Sequence, residues 1–488
     1  MMIIGQKKLK NISKIYINLS APVKASLWFT ICSILQKGIS MITIPIFTRL
    51  LTTDQYGVYS VYQSWYSVIA IFATLNLSAG VFNNGMIKYE KDKNKYISTL
   101  QGLSTFATVI VFCIYVVAMN FWNDILGLSS VFVFAMFMQL LFEPAYLFWS
   151  ARQRFSYRYR KLVVVTLIIS ITSPLLGIVA VLSTTYKVEA RIISYVFVQV
   201  CIGLIFYIYN FNNGKIIFSK KYWRFALAFN LPLIPHYLSM SILGQSDRIM
   251  ISYMVDSGKA AIYSVAYSIS SLMTIVTTSI NNSFIPYTYK AMKEKKYKGI
   301  NDNSKFLLIF VGLAVVLVMA FAPEIIKIFA PKEYYEAIWI IPPVTVSVYF
   351  MFLYPLFANV EFYFEENKYI MTASCVGAIA NISLNYFFIP IFGFMAAGYT
   401  TLVCYIMFAI SHYIFHRKVI KKHIGRIQIY NIKFIFSFSI LILIIMFFMI
   451  LLYNYNLLRY SLISILLLIT SIKRVVLIKL IKKYIKNI

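Results

Sequence analysis

Residues 432–453 read IKFIFSFSILILIIMFFMILLY, a run in which Lys433 is the only charged side chain. A helix needs about 20 apolar residues to cross the hydrocarbon core of a bilayer, so this run is long enough to span a membrane. Comparable apolar runs, separated by short charged breaks, fill nearly the whole chain on the N-terminal side of it. The pattern predicts an all-α integral membrane protein.

Fourteen apolar runs qualify as membrane-spanning helices. They lie near residues 25–48, 58–82, 100–122, 127–150, 162–183, 191–211, 224–251, 259–286, 305–322, 337–360, 370–390, 395–415, 432–453 and 457–472. The connections between them are short. No sizeable soluble domain fits beside fourteen spans in a chain of 488 residues.

The composition excludes an ordinary soluble enzyme. Hydrophobic residues make up 60% of the chain and charged residues 13%, with a mean hydropathy of +0.75. Soluble domains carry about 25% charged residues. So little polar surface could not cover a globule of this mass in water, and we expect lipid to be the solvent.

Basic residues outnumber acidic ones by 46 to 16, for a net charge of +30. In a soluble chain this excess would suggest nucleic acid binding, but in an apolar chain it indicates that Lys and Arg collect on one membrane face. When the loops are numbered alternately, 37 of the 46 lie in the two terminal segments and the even-numbered loops. We therefore expect both termini in the cytoplasm and no nucleic acid partner.

The chain repeats internally. Residues 57–61 (GVYSV) match residues 261–265 (AIYSV), 204 residues later, and Pro144 in the fourth span parallels Pro355 in the tenth. The repeat predicts two six-helix lobes related by a pseudo-two-fold axis along the membrane normal, an architecture suited to alternating access. The predicted order is a cytoplasmic segment at 1–24, an N-lobe at 25–211, a C-lobe at 212–415, two extra helices at 416–472 and a basic cytoplasmic tail at 473–488.

Sequence signatures of covalent chemistry are absent. There is no GxxxxGK[ST] phosphate loop, no HExxH and no GxSxG. The five cysteines fall inside apolar runs without CxxC spacing, which argues against a disulfide framework or a metal site. We expect neither an enzyme nor a bound cofactor, apart from a coupling proton or Na⁺.

Lys37 is the clearest charge inside a span. It lies about twelve residues into the first helix, roughly 18 Å deep at 1.5 Å per residue. A charge at the bilayer centre costs at least about 2.5 to 3.5 kcal/mol, so charges that persist there face the bundle interior or a wet cavity. We expect Lys37 to face a cavity; the alternative is a lysine that reaches the membrane surface with its amine.

Arg49, Asp247 and Arg248 hold comparable places at the ends of the first and seventh spans, one in each repeat. They could grip a phosphate or gate the outer mouth. Alternatively, Arg49 is an interfacial anchor, and Asp247 with Arg248 forms a neutral pair that only stabilises its lobe.

Two further residues in the spans can titrate. Glu143 precedes Pro144 and is a candidate proton or Na⁺ coupling site, or equally a buried partner for Lys37. His236 lies between Pro235 and Tyr237, where it is either a titrating site residue or a hydrogen-bonded packing histidine. The spacing of the prolines near His236 predicts a kinked or broken helix.

The basic loop after the fourth span contains Arg152 and Arg154. Such residues set topology and contact anionic membrane lipids. A further interpretation is capture of an anionic headgroup, since the guanidinium fork binds phosphate oxygens bidentately.

Several motifs, in order along nearly the whole chain, resemble the polysaccharide-biosynthesis flippases of the Wzx type, relatives of the MATE multidrug exporters and the lipid II flippase. They are IPIFTRLLT at 44–52 with YGVY at 56–59, SDR at 246–248 with IYSVAY at 262–267, and NYFFIP at 385–390 with Gly393 and AAG at 396–398.

The resemblance implies fourteen helices, two lobes and a V-shaped cavity in the bacterial cytoplasmic (inner) membrane. It implies a substrate that is an undecaprenyl-pyrophosphate-linked oligosaccharide of the O-antigen or capsule type, moved from the inner to the outer leaflet. By the same resemblance, Lys37, Arg49 and Arg248 would bind pyrophosphate and sugar, with Asp247 and His236 beside them. Coupling to a proton or Na⁺ gradient would fall to Glu143 or Asp247, and a glycan polymerase and glycosyltransferases would be the functional partners.

Two other functions fit the sequence less well. A cation-coupled multidrug exporter would need an acidic cavity, whereas Lys37 and Arg248 here balance Glu143 and Asp247. A membrane glycan polymerase or glycosyltransferase would need a large outer loop, and the outer loops are short.

Overall fold

The computed structural model describes residues 20–472, and within that range the chain is helical and contains no strand. The α-helices, in chain order, are α1 (Ala21–Leu50), α2 (Thr53–Thr74), α3 (Val81–Lys88), α4 (Lys93–Val117), α5 (Met119–Leu126), α6 (Ser130–Phe155), α7 (Tyr159–Leu182), α8 (Lys187–Gly214), α9 (Lys220–Asn230), α10 (Ile234–Met254), α11 (Ser257–Ser270), α12 (Met273–Lys293), α13 (Tyr297–Ala320), α14 (Ala322–Phe329), α15 (Ala337–Tyr363), α16 (Asn367–Phe392), α17 (Ala396–His423), α18 (Ile432–Leu452) and α19 (Asn456–Ile472). Short 3₁₀ turns lie at 90–92, 231–233 and 332–334.

The predicted all-α membrane architecture is confirmed, and each of the fourteen predicted spans overlaps a helix. Within the described residues, twelve helical segments are long and apolar enough to cross a membrane. Two of the fourteen predicted spans do not meet this criterion of length and hydropathy. They are α2, whose sequence is rich in Ser, Gln and Tyr, and α19, which has 17 described residues. The second predicted span ran to residue 82, but α2 ends at Thr74 because Leu75 and Asn76 adopt left-handed backbone angles.

The seventh span is broken, as the proline spacing predicts. It consists of α9 and α10, joined by a 3₁₀ turn at Leu231–Leu233 that contains Pro232, and Pro235 follows in the first turn of α10. Proline lacks a backbone N–H and crowds the preceding turn, so the α-helix is interrupted here. The eighth span is likewise divided into α11 and α12.

The chain forms two compact units. The first comprises residues 20–43 and 69–234 of the described range, and the second comprises residues 44–68 and 235–472. This partition differs from the predicted lobes, whose boundary lay at 211/212. Residues 44–68, although they belong to the first sequence repeat, pack with the second unit.

Helix α15 is the core of the second unit. It is apolar on all sides, and residues such as Ile340, Val346, Tyr349 and Leu356 are fully buried. A helix that is hydrophobic all round is buried by other helices. Around α15 pack α11, α12, α13, α17 and α18.

In the first unit, α6 and α8 approach closely at Gly203. A Cβ placed there would lie 2.5 Å from the carbonyl oxygen of Phe142, so the contact requires glycine. Beside this pair, α4 carries the buried Tyr96, whose hydroxyl donates to the carbonyl of Val81 at 2.9 Å.

The two extra C-terminal helices belong to the second unit. Helix α18 packs on α13 and α15, and the hydroxyl of Tyr453 just beyond it donates to the Met319 carbonyl at 2.7 Å. In α19, the buried Arg459 pairs with Glu324 of α14. The predicted basic tail at 473–488 and residues 1–19 of the predicted N-terminal segment lie outside the described residues.

Candidate transport site

The carboxylate of Asp247 is the centre of a buried polar cluster in the second unit. Its side chain on α10 is 0% exposed. Oδ1 accepts from the amides of Asn381 at 3.2 Å and Asn385 at 2.7 Å, and Oδ2 accepts from the hydroxyls of Tyr263 at 2.5 Å and Thr401 at 2.7 Å. Four neutral donors from α11, α16 and α17 thus converge on one acid. We call these five residues the Asp247 cluster.

The sequence places the two amides on one face of α16. Asn381 and Asn385 are four residues apart, so they lie one above the other on the helix. The Ser246 hydroxyl donates to Asn381 Oδ1 at 2.5 Å, and the Thr400 hydroxyl donates to Asn385 Oδ1. These hydroxyls fix both amides with their nitrogens toward Asp247.

Close packing of α17 on α15 brings Thr400 and Thr401 to the cluster. At Gly398, in the first turn of α17, a Cβ would lie 3.2 Å from Pro343 of α15. The preceding Ala397 is fully buried. The motif AAG at 396–398 therefore has a packing role: small residues let the start of α17 seat against α15.

Arg248 follows Asp247 in sequence, but the two do not form an ion pair among the described residues. The guanidinium is 8% exposed. Its Nη1 donates to the Gly244 carbonyl at 2.6 Å and to Gln245 Oε1 at 2.9 Å, and its carbon lies 4.3 Å from the centroid of the Tyr267 ring. The predicted alternative of a neutral Asp–Arg pair is therefore wrong in its geometry, because each charge has its own set of partners.

Arg49 contacts the C-terminal end of α14. Its Nη1 donates to the Pro45 carbonyl at 2.7 Å and its Nη2 to the Ile328 carbonyl at 3.2 Å. The neighbouring Thr48 hydroxyl donates to the Phe329 carbonyl at 3.0 Å. The last carbonyls of a helix lack intrahelical donors and attract cations, so Arg49 and Thr48 together cap α14.

Lys37 lies on the exposed surface of the first unit, in the middle of α1. It has no hydrogen-bond or ion-pair partner among residues 20–472. The predicted alternative of an ion pair between Lys37 and Glu143 is therefore not present. Glu143, on α6, accepts a hydrogen bond from the Gln139 amide at 2.6 Å and is half-buried.

Arg152 lines a cleft of about 620 Å³ in the first unit, whereas Arg154 is exposed at the end of α6. The other polar residues that line the cleft are Glu90, Lys91, Asp92, Lys93, Asn94, Lys95, Asn213 and Lys215. Two of the lysines are already paired, Lys93 with Glu90 at 3.2 Å and Lys95 with Asp92 at 3.3 Å. Arg152, Lys91 and Lys215 supply the remaining positive charge of the cleft.

His236 lies at the start of α10 and is half-buried. Its Nδ1 is 2.9 Å from the hydroxyl of Ser374 on α16. Within residues 20–472 it makes no hydrogen bond to the Asp247 cluster. It therefore stands apart from the seventh-span residues with which the sequence grouped it.

Sequence reasoning found Asp247 and Arg248 but missed the residues that hold them. Asn381, Thr401 and Tyr263 are polar residues in long apolar runs, and a single sequence does not say which of many Ser, Thr, Asn and Tyr side chains converge. The available signal is the i,i+4 spacing of Asn381 and Asn385 within an otherwise apolar span. Among the described residues no group of three His, Cys, Asp or Glu side chains is placed to hold a metal ion.

Comparison with known proteins gives a consistent result. The family model described as "Polysaccharide biosynthesis protein" matches residues 23–292, and the MatE model matches residues 232–387. The "Lsg locus putative protein 1" of Haemophilus influenzae is 24% identical over 377 residues, 74% of this chain and 89% of that protein. An uncharacterized membrane protein of Methanocaldococcus jannaschii is 24% identical over 49% of this chain and 48% of its own length.

The fold is similar to solved transporter structures. The lipid II flippase MurJ in an inward closed conformation aligns with a TM-score of 0.69 at 14% identity, over 92% of this chain and all of that one. An inward-facing multidrug resistance MATE transporter of the MOP superfamily aligns with a TM-score of 0.60 at 14% identity, over 82% of this chain and 98% of the other. At these identities the likeness concerns the fold.

Proposed function

Since this chain belongs to the polysaccharide biosynthesis protein family, whose fold neighbours are transporters and not enzymes, we propose that it flips an undecaprenyl-pyrophosphate-linked oligosaccharide from the inner to the outer leaflet of the bacterial cytoplasmic membrane. The transport would proceed by alternating access between the two lobes. Both termini would lie in the cytoplasm, and glycosyltransferases and a glycan polymerase would act before and after it.

The observation that carries the proposal is the buried Arg248. A guanidinium in a membrane-spanning helix is costly unless it serves an interior site. Its stacking on Tyr267 and the engagement of one nitrogen, Nη1, by Gly244 and Gln245 fix its plane. Such a preoriented fork is suited to a pyrophosphate, which cannot cross hydrocarbon without compensation of its charge.

Lys37 and Arg49 would supply further positive charge along the path. Lys37 is exposed and unpartnered among the described residues, so its amine is available to an anion. Arg49 has two nitrogens engaged by carbonyls and keeps further N–H groups for a ligand. The polyprenyl tail can stay in lipid while these groups bind the charged head of the substrate. Arg152 and Arg154 would attract this anionic headgroup at the cytoplasmic face.

Asp247 would be one candidate for the site of ion coupling. Its fully buried cluster provides carboxylate and hydroxyl oxygens, which are ligand types of a hard monovalent cation. A proton is the other candidate for the coupled ion. Protonation of the Asp247 carboxylate would leave the four donors around it with one acceptor fewer. Glu143, with its Gln139 partner, is the corresponding candidate in the first unit.

A second candidate function is a multidrug exporter, favoured by the match of residues 232–387 to the MatE model. The two functions differ in the substrate's charge. Lipid-linked sugar needs cations in the path, whereas cationic drugs need acids.

Deletion of the gene, followed by analysis of lipid-linked intermediates, distinguishes the flippase from the multidrug exporter. We expect build-up of undecaprenyl-linked oligosaccharide on the inner leaflet, loss of surface glycan and unchanged drug resistance. Complementation by wild-type protein should restore the glycan, whereas Lys37→Ala and Arg248→Ala should not, although both insert and accumulate. Arg417→Ala, which removes an exposed arginine of α17, is the matched control. Wild-type glycan levels in the Lys37 and Arg248 variants would refute their placement in the path.

A further inference from the structure

A buried acid–base pair connects α15 and α17 in the second unit, apart from the Asp247 cluster. Glu361 and His412 both have side chains that are 0% exposed. The His412 Nδ1 lies 3.1 Å from Glu361 Oε2 and 3.2 Å from Oε1. Neither residue is among the site residues predicted from the sequence: Glu361 lies just beyond the predicted span 337–360, and His412 lies near the end of the span 395–415.

Aromatic rings flank the histidine of this pair. The His412 ring lies 5.2 Å from the ring centroid of Tyr354 and 4.7 Å from that of Phe408. His412 Nε2 is buried and has no hydrogen-bond partner in the described part of the chain. Within residues 20–472, His412 is also the one side chain that hydrogen-bonds to Glu361.

The number of protons on the pair is constrained by this enclosure. Without a shared proton, the site would hold a carboxylate with no other donor, and an uncompensated buried charge is strongly unfavourable. With one proton, the pair is neutral overall, either as carboxylate and imidazolium or as acid and imidazole. With two, it would carry an unpaired positive charge, so the closed pair should hold one proton.

We propose that Glu361 and His412 form a proton-binding site of the transport cycle, which keeps one proton while the pair is enclosed and releases it when water reaches the pair. This inference rests on the proposed function, because it assigns a coupling proton to that transport. Release would require water to reach the pair between α15 and α17. Proton binding and helix packing would then favour the same conformation, as coupling requires.

The groups around the pair suggest how a proton reaches it. His236 of α10 is half-buried and hydrogen-bonds to the Ser374 hydroxyl of α16. On α17, His416 is one turn beyond His412 and packs between Phe357 and Tyr430. On α15, Tyr354 is the titratable neighbour. His236 would then be the half-buried group through which a proton reaches the unpartnered His412 Nε2.

The same two helices provide a matched control. Glu366 lies just beyond α15 and bonds to Lys422 at 2.5 Å and to His423 at 3.1 Å, both at the end of α17. Lys422 is 60% exposed, so this acid–base group is in contact with water. Glu366→Gln therefore removes a carboxylate that pairs with histidine without disturbing an enclosed proton.

The first experiment reads the proton directly, on the full-length protein in lipid nanodiscs with ¹³Cε1-labelled histidine. The chain has four histidines, so His412→Gln assigns the His412 signal. We expect Glu361→Gln to lower the number of protons bound per chain by about one and to leave His412 as a neutral imidazole. Glu366→Gln should change only His423. The same number of bound protons in wild type and in Glu361→Gln, with a His412 signal that this substitution leaves unchanged, would overturn the proposal.

The second experiment reads coupling in proteoliposomes, with a fluorescent undecaprenyl-pyrophosphate sugar as the probe and an imposed pH gradient. Wild type and Glu366→Gln should flip faster with the gradient, and Glu361→Gln and the Glu361→Gln/His412→Gln double variant should flip at a rate ratio of about 1 with and without it. A gradient response in Glu361→Gln equal to that of wild type would overturn the inference and leave the proposed function intact. Absence of flipping by wild type would instead contradict the proposed function, while the histidine signals still decide whether the pair holds a proton.

Discussion

Asp247 and Arg248 are adjacent on α10, yet their side chains bind to opposite kinds of partner. The carboxylate accepts four hydrogen bonds from neutral side chains, and the guanidinium stacks on Tyr267 and bonds to Gly244 and Gln245. Successive residues on a helix point about 100° apart, so neighbours in sequence do not face each other. The motif SDR at 246–248 therefore builds two sites on two sides of one helix.

The first prediction concerns the charge of Asp247. Asp247→Asn keeps the shape of the side chain but replaces one acceptor oxygen with an N–H donor. This donor would face the donors of the cluster, so we expect loss of transport together with reduced thermal stability. Asp247→Ala leaves several buried donors unsatisfied, which should lower the free energy of unfolding by on the order of 3 kcal/mol. Surface glycan and the melting temperature of the purified protein are the measurements.

The control for this variant is Asp54→Asn, which changes an exposed aspartate of the same unit. It should leave both readouts unchanged. If Asp247→Asn transports normally, the coupling role of Asp247 is refuted, whatever its effect on stability.

Much of the fold could be predicted from the sequence, because the membrane imposes it. Each span needs about 20 apolar residues and satisfies its own backbone, so apolar runs such as 432–453 map directly to helices. The exceptions have local causes: α2 ends early where Leu75 and Asn76 turn left-handed, and residues 44–68 pack with the second unit although they belong to the first repeat. Packing between distant segments is not encoded in hydropathy.

The candidate site could be predicted only in part. A charge in an apolar run, such as Asp247 or Arg248, is conspicuous in any sequence. Its partners are ordinary polar residues, and the Glu361–His412 pair joins residues 51 positions apart whose individual patterns are unremarkable. Burial and pairing are tertiary properties, so these residues emerge only once α15, α16 and α17 are placed.

The second prediction separates two roles of Arg49. If its function is to cap α14, then Thr48→Val, which removes the neighbouring bond to the Phe329 carbonyl, should impair transport in the same way as Arg49→Ala. If Arg49 binds phosphate, Arg49→Ala should abolish surface glycan and Thr48→Val should cost about 1 kcal/mol of stability without abolishing it. We expect the second result, measured as glycan level and melting temperature for each variant. Equal defects in the two variants would assign Arg49 to the cap alone.

The third prediction concerns the seating of α2 on the start of α11 within the second unit. A Cβ at Gly57 would lie 1.8 Å from the Ser257 carbonyl oxygen, so Gly57→Ala must push the helices apart. Overpacking of this kind costs about 1–3 kcal/mol, and we expect a lower melting temperature and reduced transport. Gly38→Ala on α1 is the control, because nothing lies within 4 Å of its Cβ position and alanine favours the helix. A Gly57→Ala protein as stable as wild type would show that the two helices separate without cost.

The fourth prediction concerns acid sensitivity at the ends of α15 and α17. Hydrogen bonds from Lys422 and His423 lower the pKa of Glu366 below its usual value. A carboxyl group whose pKa is depressed by folding contributes stability that is present above its unfolded pKa of about 4.3 and is lost as the pH falls through the lower folded value. Wild type should therefore melt at a higher temperature than Glu366→Gln at pH 6, and the difference should shrink once the pH falls below about 4.3.

Melting curves of both proteins in detergent from pH 3 to pH 7 test this prediction. Glu365→Gln is the control, because Glu365 is exposed and makes none of the ion pairs of Glu366. A difference that is independent of pH would mean that Glu366 acts through its shape and not through its charge.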